Sequence, residues 1–146
     1  MAKLARDLMT TDPACCSPET TLDEIAQLMV ENNCGEIPIV DRSGCLVGVI
    51  TDRDIVCRVV ARGENPADHT AETCMSTPVF AVRDDATVED VVGMMESHQV
   101  RRVPVVDGDG CCAGIIAQAD LVSIVPPRQT SELLSQISRE SARPSM

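Results

Sequence analysis

Aromatic side chains are almost absent from this chain of 146 residues, which has one phenylalanine, Phe80, and neither tryptophan nor tyrosine. Proteins that bind single-stranded nucleic acid stack the bases on aromatic rings, and this chain has no set of rings for that purpose. The hydrophobic fraction is nevertheless 44%. A core must therefore be built from Val, Ile, Leu, Met, Ala and Cys.

Basic residues are also few: 12 stand against 23 acidic ones, and the formal net charge is -11. That charge opposes the phosphates of nucleic acid and the anionic face of a membrane. No apolar run approaches the roughly 18 residues that span a bilayer, and Met1 to Thr11 lacks the apolar segment of a signal peptide. We expect a cytoplasmic protein whose partners include neither nucleic acid nor a membrane, and in which an anionic ligand needs a local basic patch.

Histidine is limited to His69 and His98, whereas cysteine occurs eight times, at positions 15, 16, 34, 45, 57, 74, 111 and 112. Without an export signal we expect reduced thiols, most of them acting as small buried apolar residues. A zinc or thiol sensor would need Cys74, His69 or the vicinal pairs Cys15-Cys16 and Cys111-Cys112 to converge. The usual zinc-ligand spacing is missing, and adjacent strand residues point to opposite faces, which argues against paired thiols in one site.

No catalytic arrangement is apparent in the sequence. It offers no Ser-His-Asp or Cys-His set, no Walker motif and no Gly-rich phosphate loop. Asp52 and Asp54 are explained by the start of a helix, and His98 by the charge preferred at a helix C-terminus. We therefore do not expect an enzyme, and no cofactor is required.

The chain repeats itself. A shift of 66 positions, the distance from Met9 to Met75, aligns its two halves without a gap across the strongest stretch. Identical residues are spread along both copies and fall at Thr21 and Thr87, Met29 and Met95, Pro38 and Pro104, Asp41 and Asp107, Cys45 and Cys111, Gly48 and Gly114, and Asp54 and Asp120. The repeat predicts one α/β unit built twice.

Each copy is predicted as strand, helix, strand, strand, helix. Thr21-Leu-Asp-Glu24 has capping-box spacing before a helical pattern, which recurs after Thr87. Two strands joined by a polar turn follow in each copy, at 37–40 and 45–50, and at 103–106 and 111–116. The last helices are predicted at 52–62, stopped by Gly63, and at 118–125, stopped by Pro126-Pro127.

These patterns divide the chain into repeat one (1–62), a linker (63–73), repeat two (74–127) and a C-terminal part (128–146). In the last part we expect a short helix near 131–138 and a flexible end, because its composition is small and polar.

The joint between the second of these strands and the last helix carries the most information. It reads Gly48-Val-Ile-Thr51-Asp52-Arg53-Asp54 in copy one and Gly114-Ile-Ile-Ala117-Gln118-Ala119-Asp120 in copy two. A Pro-centred strand, a glycine in the next strand and Thr-x-x-Asp at the helix start, repeated in tandem over about residues 5–125, resemble the CBS-domain pair, or Bateman module. Thr-Asp-Arg-Asp-Ile-Val at 51–56, with His-Gln-Val-Arg-Arg-Val-Pro-Val at 98–105, is similar to small stand-alone bacterial members, including stress- and hypoxia-response types.

The resemblance implies an α/β (α+β) fold of two β-α-β-β-α repeats, packed sheet to sheet about a pseudo-twofold axis. It implies an adenine nucleotide, AMP, ADP or ATP, in the cleft between the repeats, with NAD or S-adenosylmethionine as alternatives. It also implies a homodimer forming a disc-like assembly of four repeats, and an unknown protein target that responds to the ligand.

The physical chemistry of copy one agrees with a nucleotide pocket. The helix start and the Thr51 hydroxyl suit a phosphate, and the Asp54 carboxylate can accept from both ribose hydroxyls. Gly48 would let a flat base approach the main chain, where Ile37, Pro38, Ile50 and their equivalents in the other copy can sandwich it. The complete set of expected nucleotide-binding residues is Thr11, Ile37, Pro38, Gly48, Thr51, Arg53, Asp54, Arg101, Arg102, Val103, Pro104, Ala117 and Asp120.

The two copies are not expected to be equal sites. Ala117 removes a phosphate donor from copy two, whereas Arg101 and Arg102 supply basic groups where copy one has Gly35-Glu36. We expect one good pocket and one poor one.

Two other interpretations stay open. Thr51 and Asp54 have the spacing of a capping box and could serve only to start a helix, although Asp120 persists beside Ala117, which cannot cap. The chain could also be a ligand-free dimeric interaction protein with decayed pockets.

Overall fold

The computed structural model describes residues 3–77 and 79–122. Its helices are α1 Ala5–Leu8, α2 Leu22–Asn32, α3 Asp52–Arg58, α4 Ala71–Cys74, α5 Val88–His98 and α6 Gln118–Val122. Its strands are β1 Thr10–Thr11, β2 Glu36–Val40, β3 Leu46–Thr51, β4 Val82–Arg83, β5 Arg102–Val106 and β6 Cys112–Ala117, and short 3₁₀ turns lie at Val60–Arg62 and Pro66–Asp68. The predicted helix near 131–138, the flexible end and residues 123–125 lie outside the described residues.

The described residues form two compact units, which do not coincide with the two sequence repeats. The repeat-one unit holds residues 12–77 and 79 with 109–112, and the repeat-two unit holds 3–11, 80–108 and 113–122. The first residues of the chain therefore belong with the second repeat. The predicted bounds at 62, 73 and 127 remain predictions.

In the repeat-two unit a four-stranded sheet has the order β1-β6-β5-β4. Strand β1 runs antiparallel to β6, with Thr11 opposite Gly114, and β4 runs parallel to β5. Ahead of β1, the Ala5 N–H donates to the Ala86 carbonyl at 2.8 Å. The N-terminal segment thus completes one edge of the second repeat's sheet.

The repeat-one unit has the same arrangement, but single-residue bridges take the place of the two outer strands. Strands β2 and β3 pair antiparallel, while Ser76 bridges Val49 of β3 and Cys16 bridges Ile39 of β2. Ser76 is the repeat equivalent of Thr10. The segment around Ser76, at the start of repeat two, therefore pairs with a repeat-one strand. In the same way β1, near the start of the chain, pairs with β6 of repeat two.

Each unit has its own cluster of buried side chains. The main helix of each repeat buries the stripe that its periodicity predicts, Leu22, Ile25 and Met29 in α2 and Val91, Val92 and Met95 in α5. Cys16 and Cys74 are buried with the core, whereas Cys57 is exposed and the other five cysteines are partly exposed, so the expectation that most are buried is wrong. The predicted mixed α/β fold with two repeats is confirmed.

The two main helices begin differently. The capping box predicted at Thr87 forms, because the Asp90 N–H donates to Thr87 Oγ1 at 3.2 Å and the Thr87 N–H to Asp90 Oδ2 at 3.1 Å. The box predicted at Thr21 is wrong, since its side chain caps no N–H of α2. The Leu22 N–H, the first donor of the helix, donates to the His69 carbonyl at 3.0 Å. A main-chain group from a later segment thus satisfies one of the donors at the start of α2.

The last helix of repeat one is shorter than predicted. Helix α3 ends at Arg58 and continues as the 3₁₀ turn Val60–Arg62. Gly63 then adopts a φ of 73°, in the left-handed region that favours glycine at a helix end, which confirms the predicted stop.

Two glycines in the sheets lie under methionine side chains. A Cβ on Gly114 would lie 2.6 Å from Met9 Sδ and 2.7 Å from the Thr10 carbonyl oxygen. The three atoms nearest to a Cβ on Gly48 all belong to the side chain of Met75, whose Cγ would lie 2.9 Å away. A methionine side chain can turn away, whereas the main chain of β1 cannot.

We predict that Gly114→Ala lowers the free energy of unfolding by about 2–3 kcal/mol and Gly48→Ala by about 1 kcal/mol, within the range for overpacked sites. Gly93→Ala is the control, because nothing lies within 4 Å of a Cβ at that helical position. It should raise stability by about 0.5–1 kcal/mol through helix propensity. Urea denaturation measures all three, and a Gly48→Ala loss equal to or larger than that of Gly114→Ala would contradict the packing.

Candidate functional site

Strand β3 passes directly into α3, with Thr51 as both the last strand residue and the helix N-cap. The Asp54 N–H donates to Thr51 Oγ1 at 3.0 Å, and the Thr51 N–H donates to Asp54 Oδ2 at 2.9 Å. The capping box considered from the sequence therefore exists. It fixes the positions of both side chains at the helix start.

The capping bonds leave ligand-binding capacity on both side chains. The Thr51 hydroxyl accepts one bond as a cap and still has its own proton to donate. The Asp54 side chain is 14% exposed, and its Oδ1 lies 3.8 Å from Arg58 Nε, too far for a strong hydrogen bond. Helix capping and ligand binding are thus compatible at this joint.

Helix α4 packs beside the same joint. Arg58 donates a hydrogen bond from its guanidinium to the Cys74 carbonyl at 2.8 Å, and the Cys74 thiol donates to the Asp54 carbonyl at 3.8 Å. Burial raises the pKa of the Cys74 thiol, the Asp54 charge adds to this effect, and Arg58 opposes it. Cys74 is therefore a protonated, structural thiol.

The structure does not bring Cys74 and His69 together as metal ligands. His69 Nε2 lies 3.2 Å from a Glu64 carboxylate oxygen, while the Cys74 thiol faces a main-chain carbonyl. Within residues 3–77 and 79–122, no three His, Cys, Asp or Glu side chains are grouped so that they could hold a metal ion.

In repeat two the corresponding joint retains half of the box. The Ala117 N–H donates to Asp120 Oδ2 at 2.8 Å. Asp120 therefore has a structural role even without a hydroxyl partner. The presence of Asp120 beside Ala117 therefore does not favour a nucleotide site, because this hydrogen bond already accounts for the carboxylate.

The two helix starts lie beside the start of the neighbouring strand. The Asp52 N–H donates to the Gly35 carbonyl at 2.9 Å, and the Gln118 N–H to the Arg101 carbonyl at 2.8 Å. Repeat two thus places an exposed Arg101 and a partly exposed Arg102 at its helix start. Repeat one has the buried Glu36 at the position of Arg102.

Sequence reasoning missed two polar groups of repeat two. The side-chain oxygens of Gln99 and Gln118 are buried and accept no hydrogen bond from any described residue. Gln118 follows Ala117 directly, at the helix start. Its position could have been found from the repeat, as the equivalent of Asp52, but its burial depends on packing that the sequence does not display.

The other predicted residues fall into both units. Ile37 and Val103 have no exposed surface, and Pro38 and Pro104 are buried in the same strands. Thr11 is exposed and belongs to the repeat-two unit.

Two further expectations concern repeat one. Arg53 is exposed at the start of α3, as a phosphate contact would require. Met75 covers the space over Gly48 that was expected to receive a flat base. A base could approach that glycine only if the methionine moved.

An open groove of about 420 Å³ lies elsewhere on the repeat-one unit, along α2 and the segment before it. Its lining includes Cys15, Glu24 and Glu31 and none of the predicted nucleotide-binding residues. The two carboxylates disfavour an anionic ligand there. In the part of the chain that the structure describes, no helix has the length and apolar character needed to cross a membrane.

Relatives of known sequence cover nearly the whole chain. CBS domain-containing protein YhcV of Bacillus subtilis is 38% identical over 94% of this chain and 88% of its own length. Hypoxic response protein 1 of Mycobacterium tuberculosis is 34% identical over 91% of this chain and 92% of its own length. Inosine-5'-monophosphate dehydrogenase of Mycobacterium leprae is also similar, at 32% identity, but only over 21% of that enzyme.

Solved structures share the fold. Hypoxic Response Protein I with two coordinated zinc ions has a TM-score of 0.78 and 35% identity, over 85% of this chain and 100% of that one. The CBS domain pair of protein MJ0100 with 5'-methylthioadenosine and S-adenosyl-L-methionine has a TM-score of 0.76 and 28% identity, over 85% and 96%. CBSX2 in complex with AMP has a TM-score of 0.72 and 26% identity, over 82% and 93%.

The family match agrees with the repeat. The CBS domain matches this chain twice, at residues 5–61 and 71–126, and these ranges hold the helix starts at Thr51 and Ala117. The chain therefore belongs to the CBS domain family, as a tandem pair of CBS domains.

Proposed function

We propose that this chain is a regulatory module that binds an adenine nucleotide at the start of α3. The observation that carries the proposal is the Asp54 carboxylate, which the Thr51 N–H holds at 2.9 Å while Oδ1 makes only a long ion pair with Arg58, at 3.8 Å. A fixed carboxylate suits the two neighbouring hydroxyls of a ribose, because each can donate a charge-assisted hydrogen bond.

The phosphate end of the ligand has suitable partners at the same joint. The Thr51 hydroxyl keeps a proton to donate, and Arg53 is exposed in the first turn of the helix. On a chain with a net charge of -11, such a local cation is needed for an anion to bind. AMP, ADP and ATP all fit this description.

Ligands bound by similar structures support the adenosine part of the proposal. AMP, 5'-methylthioadenosine and S-adenosyl-L-methionine share an adenine joined to a ribose ring that keeps its 2' and 3' hydroxyls. Ribose recognition by a carboxylate would serve each of them, and NAD as well. We therefore propose the adenosine group as the recognised chemistry, with AMP, ADP or ATP as the ligand.

Repeat two is the weaker site in this proposal. Ala117 offers no hydroxyl to a phosphate, although the Ala117 N–H holds the Asp120 carboxylate at 2.8 Å, as the Thr51 N–H holds Asp54 at 2.9 Å. Arg101 and Arg102 supply positive charge for a phosphate, but they do not replace the missing hydroxyl. Gln118 adds a buried oxygen that could accept from the amino group of an adenine.

Regulation needs a ligand that binds one conformation better than another, since only differential affinity shifts a population. We propose that nucleotide binding changes the surface that an unknown protein target recognises. The stand-alone relatives are named as CBS domain and response proteins, and the similar dehydrogenase matches over only 21% of its length, which supports a non-enzymatic role.

We also propose that the chain forms a homodimer, within a disc-like assembly of four repeats. Val56 on α3 is 55% exposed and Val60, one turn later, is 51% exposed. Val30 at the end of α2 is 81% exposed. Exposed apolar side chains on helices are typical of surfaces that a second copy covers.

For nucleotide binding we predict that Asp54→Asn weakens the affinity for AMP, ADP or ATP about 10- to 100-fold, the range expected for a lost charged hydrogen-bond acceptor. Asparagine keeps an oxygen for the Thr51 N–H, so the helix cap survives. Isothermal titration calorimetry on the wild type and the variant measures the change, with NAD and S-adenosylmethionine as further ligands.

Asp120→Asn is the matched control and should change the affinity less than threefold. Thermal unfolding of both variants reports whether the folds are equal. Equal affinity in Asp54→Asn and the wild type would refute the site. No heat with any ligand would favour the ligand-free interaction protein.

For assembly we predict that Val56→Glu converts the dimer to a monomer, because a buried charge without a partner is costly at an interface. Sedimentation velocity measures the mass. Cys57→Ser is the control, since Cys57 is the exposed neighbour of Val56 on a different helix face. A monomeric wild type, or a dimer that tolerates Val56→Glu, would contradict the proposed interface.

A further inference from the structure

Cys45 and Cys111 lie directly opposite one another in an isolated antiparallel bridge of the repeat-one unit. The bonds that flank the pair run from the Leu46 N–H to the Gly110 carbonyl and from the Cys112 N–H to the Gly44 carbonyl, both at 3.2 Å. The two cysteines exchange no main-chain hydrogen bond with each other in this pattern. They form the close type of antiparallel pair, in which facing Cα atoms are about 4.5 Å apart.

That spacing falls within the range of about 4.4–6.8 Å that a disulfide spans between Cα atoms. Both side chains point to the same face of the bridge, because they occupy facing positions. Each is partly exposed, so a small reagent can reach it. The pair therefore meets the backbone condition and the access condition for a cross-strand disulfide.

The thiols now face main-chain carbonyls of the opposite turn. The Cys45 thiol donates to the Asp109 carbonyl at 3.9 Å, and the Cys111 thiol donates to the Ser43 carbonyl at 3.6 Å. These are weak bonds of a sulfur donor. Rotation of each side chain about χ1, from one staggered position to another, is the movement that disulfide formation requires.

Cys112, the next residue in the sequence, contacts a different cysteine. Its side chain hydrogen-bonds to Cys15, which lowers the pKa of the Cys15 thiol against the opposing effect of burial. Adjacent cysteines thus do point to opposite faces, as the sequence predicts. The two vicinal thiols therefore do not share one site, and Cys111 and Cys112 each meet a cysteine from another part of the chain.

We propose that Cys45 and Cys111 are a redox-active pair, which a low-molecular-weight disulfide such as oxidised glutathione converts to a reversible cross-strand disulfide. One protein thiolate attacks the reagent and releases one glutathione thiolate, which leaves a mixed disulfide. The second protein thiolate attacks the protein sulfur of that mixed disulfide and releases the second glutathione. Two protein thiols are oxidised, one glutathione disulfide is reduced to two thiols, and the two protons pass to the solvent or to the released thiolates.

The test uses the full chain in glutathione buffers of increasing oxidation. Remaining thiols are alkylated, and the chain is digested with trypsin without reduction. Mass spectrometry should find peptide 43–53, which holds Cys45, linked to peptide 103–128, which holds Cys111 and Cys112. Fragment ions should place the link at Cys111.

Two variants, each with one cysteine replaced, test which of the two adjacent cysteines forms the link. Cys112→Ser should retain the link, and Cys111→Ser should lose it. Should either variant fail to fold, the fragment ions from the wild type decide the position alone. The oxidised wild type should also unfold about 10 °C higher than the reduced one, because the bond closes a long loop in the unfolded chain, and dithiothreitol should reverse the shift.

Three results would overturn the proposal. One is a link placed at Cys112, or retained in Cys111→Ser. Another is glutathione attached to Cys45 with no cross-link under any oxidising buffer. The third is a cross-link that appears only after the chain has been unfolded in denaturant.

Discussion

In both repeats an aspartate carboxylate accepts a hydrogen bond from the last main-chain N–H of the preceding strand, at 2.9 Å from Thr51 and 2.8 Å from Ala117. This bond ties a strand to the helix that follows it without any intervening loop. It satisfies a main-chain donor at the turn and fixes the rotamer of the aspartate. The candidate ligand-binding group is thus held in place by the same bond that starts the helix, which is why Asp54 is both structural and available.

Much of the fold could be predicted from local pattern. The buried stripes of α2 and α5 and the stop at Gly63 depend on neighbours in sequence, and both are confirmed. The repeat was visible by comparing the chain with itself, and it is confirmed by the two matches of the CBS domain. The start of α2 after Thr21 was predicted, but the His69 carbonyl that accepts from the Leu22 N–H there could not be. Contacts made by a distant segment leave no local signal.

In the candidate site too, local features could be predicted from the sequence, whereas contacts with distant segments could not. Thr51 and Asp54 were identified from four residues at a strand-to-helix joint, and the structure brings them together as that spacing requires. The space over Gly48 was expected to be open to a flat base, but the side chain of Met75, 27 positions later in the sequence, covers it. The facing of Cys45 and Cys111 was also missed, although both occupy the same position of the repeat. That equivalence was visible in the sequence, but whether equivalent residues meet depends on the folded chain.

The central claim is that a helix start with both a hydroxyl and a carboxylate forms a nucleotide site, and that a carboxylate alone does not. The most direct measurement is the binding stoichiometry of AMP, by calorimetry, for the wild type and Ala117→Thr. The account predicts one equivalent per chain for the wild type and two for the variant, since threonine completes the joint in repeat two. Two equivalents for the wild type, or one for a variant whose thermal stability shows that the new cap has formed, would contradict it.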